Sequence, residues 1–122
     1  LKLKKVTREN IQENIDELNF IDMQLKKALA MKERDLVAYI CKKYIIVQNV
    51  SKVANDLNEE GHRIKGRKFV GKDVSEIINS SKSSIIAIVA KAIFQYNNTL
   101  QNGKKSTKKL IDMLKLSDID ES

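Results

Sequence analysis

The sequence predicts an all-α protein, and three observations carry that expectation. Proline is absent and glycine occurs only 4 times in 122 residues, so little interrupts a helix. Apolar residues recur at helical spacing, as in Val50, Val53, Ala54 and Leu57 at i, i+3, i+4 and i+7. Capping side chains precede the apolar segments: Thr7, Asn49 and the serines of 80–84. The apolar fraction of 42% suffices for a modest core in one domain with an extension.

Thr7 is expected to cap a helix from Arg8. In it Ile11, Ile15, Leu18, Leu25 and Leu29 follow a 4,3 spacing, with Asp22 at an equivalent position. That is the seam of a short coiled coil. Phe20, Ile21 and Met23 add apolar surface beside it. Two readings fit: a dimerisation helix (Ile11, Ile15, Leu18, Leu25) with Asp22 setting the register, or a helix packed on two sides inside one domain. Charged residues from Met31 to Asp35 then break the helix. A second helix over 35–47 places Leu36, Ile40, Tyr44 and Val47 on one side; the β-branched end of Tyr44–Val47 also suits a strand, but helix is preferred.

A third helix is expected over 50–60, capped by Asn49 and stopped by Gly61 in the left-handed conformation. A fourth spans 72–79, with Val74, Ile77 and Ile78 on one face and Asp73 in its first turn, where the helix dipole favours an acid. Residues 35–79 thus form a trihelical, helix-turn-helix-like unit, and its connector can hold a β-turn or a small wing around Gly66. After a polar hinge at 80–84, Ile85, Ile88, Val89, Ala92, Ile93 and Tyr96 make one stripe; Ile86, Ala90 and Phe94 make another. A helix apolar on so much of its circumference is buried on more than one side. The second side is assigned to another copy, making Ile85, Ile88, Val89 and Ile93 dimerisation residues; a core helix within one chain is the alternative. Asn97–Gly103 reads as a loop, and Thr107 starts a last helix with Leu110, Ile111 and Leu114. The chain divides into an N-terminal helix (1–34), the trihelical unit (35–79), C-terminal helices (80–116) and an acidic tail (117–122).

The formal charge of +7 favours an anionic partner. The connector between the third and fourth helices concentrates that charge: Arg63, Lys65, Arg67, Lys68 and Lys72, with no acid among them. Guanidinium groups fork onto phosphates and lysines act as point charges, so this link is the candidate grip on a nucleic-acid backbone. Lys72, Ser75 and Glu76 stand where a second helix would meet base edges. Phe69 reads as a core plug, Cys41 as a small core residue and His62 as a surface or helix-end residue.

Other chemistry finds little support. Gly66–Asp73 (GRKFVGKD) matches seven positions of the phosphate-loop pattern, but Asp73 replaces the hydroxyl that binds magnesium, and no strand precedes Gly66. One cysteine and one histidine supply neither a disulfide nor a multi-histidine metal site. No Ser, His and Asp spacing identifies a triad. We therefore expect no catalytic residues, no metal and no cofactor. The start, LKLKKVTREN, has no apolar core, and the longest apolar run, Ile85–Ala90, is too short to span a bilayer.

The run LVAYICKKY…NVSKVANDLNEEGHRIKGRKFVGKDVSEIIN, about 45 residues, resembles the DNA-binding "recombinase" domain of large serine recombinases. The shared features are a helix, a capped VSKVANDLNEEG helix, a basic GHRIKGRKF link with the aromatic Phe69, and a DVSEII helix ending at Asn79. The resemblance implies DNA binding without strand exchange, since the chain has no room for that family's catalytic domain; it also implies that Gly71–Ser75 faces DNA. The expected protein is a small DNA-binding dimer in the cytoplasm or nucleoid: a regulator, a partition adaptor or an accessory factor of a mobile element. Double-stranded DNA is its partner, and no membrane is involved. The competing expectation is a helical protein-interaction module that binds no nucleic acid.

Overall fold

A computed structural model of the chain describes residues 5–80, 84–98 and 107–119, with side chains to 115 in the last segment. Six helices follow one another: α1 (Arg8–Ala30), α2 (Leu36–Val47), α3 (Val50–Glu59), α4 (Gly71–Ser80), α5 (Ile85–Asn97) and α6 (Thr107–Ile119). The described residues contain no strand, so the fold is all-α. Most of the expected hinge (81–83), most of the loop after Asn97 (99–106), the first four residues and the last three lie outside the described residues.

Local chemistry sets the helix ends. Four side chains accept a backbone N–H from the first turn: Thr7 from Asn10, Asp35 from Ala38, Asn49 from Lys52 and Ser84 from Ala87. Each satisfies a donor that has no partner within its helix. α3 ends in a Schellman turn: Gly61 at φ +90° lets its own N–H reach Asn58 O (3.1 Å) and the His62 N–H reach Leu57 O (2.9 Å). Gln48, at φ +53°, turns the chain sharply from α2 into α3.

α5 lies at the centre. It packs against α6 and α2 most extensively and also touches α1 and α4. Ile86, Ala87, Val89, Ala90, Ala92 and Ile93 are all buried inside the one chain. This corrects the assignment of α5 to a dimer interface: Val89 and Ile93 are core residues, and Ile85 and Ile88 are already partly covered. The physical reason is that four helices of the same chain surround α5, which accounts for its two apolar stripes. Its end is tied to α2 as well: Asn97 Nδ2 donates to the Tyr44 hydroxyl (3.0 Å) and Gln48 Oε1 (3.1 Å), and Phe94 meets Tyr44 edge-on.

α1 turns Gln24 and Ala28 into the domain, with Phe20, Ile21, Leu25 and Leu29 at the edge of the core. Leu25 is therefore a packing residue, whereas Ile11, Ile15 and Leu18 stand exposed. Cys41 is buried and Phe69 plugs the core, as expected.

These two environments predict opposite outcomes. Leu57→Ala, at a fully buried site on α3, should lower the unfolding free energy by about 2–5 kcal/mol in urea titrations. Ile15→Ala should change it by no more than about 0.5 kcal/mol.

Candidate nucleic-acid interface

The chain leaves α3 through the Gly61 turn and returns alongside it before α4 starts. Midway, Ile64 and Arg67 exchange both backbone hydrogen bonds (2.8 and 3.0 Å) around Lys65 (φ +50°) and Gly66 (φ +79°). Two central residues with positive φ make a mirror-image hairpin turn, which explains the glycine. The turn closes with a single isolated bridge. The link is thus a two-residue hairpin turn and not a stranded wing.

Three contacts fix the rest of the link. The Asn58 side chain pairs with Phe69 as a strand would: its Oδ1 accepts the Phe69 N–H (2.7 Å) and its Nδ2 donates to Phe69 O (2.9 Å). Arg67 forks onto Asp73, with Nη1 to Oδ2 at 2.8 Å and Nη2 to Oδ1 at 2.7 Å. Asp73 Oδ2 also accepts the Val70 N–H (2.9 Å). An acid at the third helical position that binds the N–H just before the helix is one half of a capping box. Asp73 therefore starts α4 and anchors the link together. Beside it, a Cβ added at Gly71 would lie 3.1 Å from Ser51 Oγ and 3.3 Å from Val50 Cγ2. Gly71 thus lets α4 begin against the first turn of α3. The 11-residue connector that allows this (60–70) is longer than the three- or four-residue turn of a helix-turn-helix.

The expected contact residues divide into two groups. Lys65, Lys68 and Lys72 are exposed, and no ion pair engages them among the described residues. Lys52, on the first turn of α3 and not singled out from the sequence, is likewise exposed and unpaired. The two arginines work inward. Arg67, 53% exposed, gives its fork to Asp73; Arg63 donates to Asn58 O (3.2 Å) and His62 O (2.7 Å), closing the end of α3. Ser75 is partly buried and donates to Gly71 O.

Two of the nearby acids, Asp56 and Glu60, are held by partners in the chain. Glu60 accepts from the Tyr39 hydroxyl (2.9 Å) and pairs with Lys43 (3.2 Å), which also reaches Asp56 (3.7 Å). The Tyr39 hydroxyl, with help from Lys43, holds the Glu60 carboxyl below the usual carboxylate range. Glu59 and Glu76 remain exposed. The phosphate-loop-like string has no strand before it among the described residues, and its Asp73 is committed to Arg67 and Val70. No group of three metal-binding side chains occurs among the described residues, and none of their helices is long and apolar enough to cross a membrane.

No family model, curated protein or solved structure matches the chain.

The Arg67 fork, followed by the Val70 N–H, holds the Asp73 carboxyl at about 2. In the unfolded chain an aspartate titrates near 3.9. A carboxylate held below its unfolded value contributes stability that is full above about pH 4 and lost as pH falls through about 2. Urea titrations across this window should show Asp73→Asn to be less stable than the parent at pH about 5, with the gap closing towards pH about 2. A gap that stays constant over the window would contradict the ion pair.

Proposed function

We propose that the chain binds double-stranded DNA through the link between α3 and α4 and the first turn of α4. One observation carries this reading: Lys65, Lys68 and Lys72 are exposed on a fixed backbone and make no ion pair among the described residues, while Asp56, Glu60 and Asp73 are each held by a partner within the chain. The exposed lysines of the link, joined by Lys52, outnumber the other exposed acids beside them, Glu59 and Glu76, which suits a phosphate backbone. Arg67 serves this reading chiefly by positioning: its fork to Asp73 fixes the turn that carries Lys65 and Lys68. The starts of α3 and α4 are adjacent, and Lys52 stands exposed on the first turn of α3. Lys72, Ser75 and Glu76 are the candidates for base edges. The resemblance of residues 35–79 to the recombinase DNA-binding domain agrees with this assignment. On this reading the protein works in the cytoplasm or at the nucleoid as a regulator, a partition adaptor or an accessory factor of a mobile element.

A helical protein-interaction module is the second reading, favoured by the exposed Ile11, Ile15 and Leu18 on α1. Binding to random-sequence duplex DNA over a salt series separates the two. The DNA reading expects log affinity to fall linearly with log salt. It also expects Lys65→Ala, Lys68→Ala and Lys72→Ala each to flatten the slope by about 0.9, the share of one phosphate. No binding at low salt would pass the function to the interaction module. Binding with an unchanged slope in the triple variant would move the DNA site off the link.

A further inference from the structure

One stripe of α1 stays outside the core formed by the described residues. It runs Arg8, Ile11, Ile15, Leu18, Asp22, at spacings of 3, 4, 3 and 4 residues. Residues so spaced lie along one side of a helix. Ile11, Ile15 and Leu18 are 40%, 42% and 50% exposed, and the Asp22 side chain is 60% exposed. The buried Gln24 and Ala28 mark a different side. Three large apolar side chains in a row on a charged chain call for a cover.

The stripe is close to palindromic about Ile15. Arg8 lies seven residues before it and Asp22 seven after; Ile11 lies four before and Leu18 three after. An antiparallel second copy with Ile15 on the two-fold axis therefore brings Arg8 of each copy level with Asp22 of the other. The apolar side chains meet between the two charge pairs. A parallel pair would instead set the two Asp22 carboxylates against each other. The flanks agree: Gln12, Asn14 and Asn19 beside the stripe are neutral, and Glu9, Glu13 and Asp16 lie towards the far side of the helix. A second copy thus approaches without like-charge repulsion at the contact, and the charges that are present match their own mirror order.

We infer that the chain forms a two-fold dimer by antiparallel pairing of the Arg8–Asp22 stripe of α1 with the same stripe of a second copy. The stripe is about 21 Å long at 1.5 Å per residue. That is short for an interface of about 800 Å² per partner, so the dimer is weak and concentration-dependent. Asp22 also pairs with Lys26 at 3.1 Å, an exposed contact that leaves the carboxylate open to a second cation. The inference does not rest on DNA binding. On DNA, two copies at neighbouring sites would raise each other's effective concentration.

Sedimentation equilibrium on the full chain without DNA tests it, with circular dichroism confirming that each variant keeps its helices. The parent is expected to show a monomer–dimer equilibrium, and Ile15→Asp to be monomeric. Arg8→Asp alone and Asp22→Arg alone should each dimerise roughly tenfold more weakly, because two exposed pairs turn from attraction to repulsion. An equimolar mixture of those two variants should regain parental affinity, since every substituted end then meets its opposite charge. A parent that is monomeric at every concentration reached would overturn the inference. So would an Ile15→Asp variant that still dimerises, or a mixture no tighter than its components.

Discussion

Two parallel hydrogen bonds from Arg67 to Asp73 hold the surface that distinguishes this chain from a plain helical bundle. Asp73 is bound to the Val70 N–H at the start of α4, so the fork fastens the basic link to a helix end. Without it, Lys65 in its left-handed conformation and the single bridge between Ile64 and Arg67 would have little to hold them. Asn58 supplies the other anchor by pairing with the Phe69 backbone while the Phe69 ring fills the core. A run of like charge is thereby carried on a backbone fixed at both ends. Lysines held this way lose less conformational freedom on meeting a phosphate than lysines on a loose loop.

The second constraint is the burial of α5. Its apolar circumference is satisfied within one chain, because α1, α2, α4 and α6 all contact it. A helix used up in this way cannot also join two copies. Apolar side chains are left exposed on α2 (Leu36, Val37, Ile46) and at Val70 in the link, but a continuous stripe of them, Ile11, Ile15 and Leu18, falls on the first half of α1, where the chain is rich in acids and not in lysines. On the proposed readings, self-association and phosphate binding fall on separate segments, so neither needs to compete with the other for the same side chains.

Much of the fold was legible in the sequence, because its signals are local. Asn49 as a cap, Gly61 as a left-handed stop, Asp35 at the start of α2 and Asp73 in the first turn of α4 are all found as the pattern predicts. Helix won over strand in Tyr44–Val47 because Tyr44 and Ile45 are buried three and four residues after Cys41, which is helical spacing. What could not be read depends on contacts between distant positions. The periodicity of α5 shows two apolar sides but not which molecule covers the second. The 4,3 seam of α1 shows a stripe, yet only its last members, Leu25 and Leu29, pack on the core, and the fully buried Gln24 and Ala28 lie off it. At the link, counting cations treated Arg67 as equivalent to Lys68. The tertiary turn brings Arg67 back to Asp73 and leaves Lys68 outside. A cation six residues before a first-turn acid was the signal available for that lock, and it is a weak one. Asn58 gave no signal, since its two bonds are made with a backbone eleven residues away.

On the proposed reading, the link and the first turn of α4 form the DNA-contacting surface. Amide chemical-shift mapping of the ¹⁵N-labelled chain during titration with a short random-sequence duplex measures this residue by residue. The largest shifts are expected at Lys65, Lys68, Gly71 and Lys72, with smaller ones at Lys52 and Ser51. On a duplex too short to hold two copies, Ile11, Ile15 and Leu18 should stay in place. Shifts concentrated on α1 or on the outer face of α6, with the link unmoved, would contradict it.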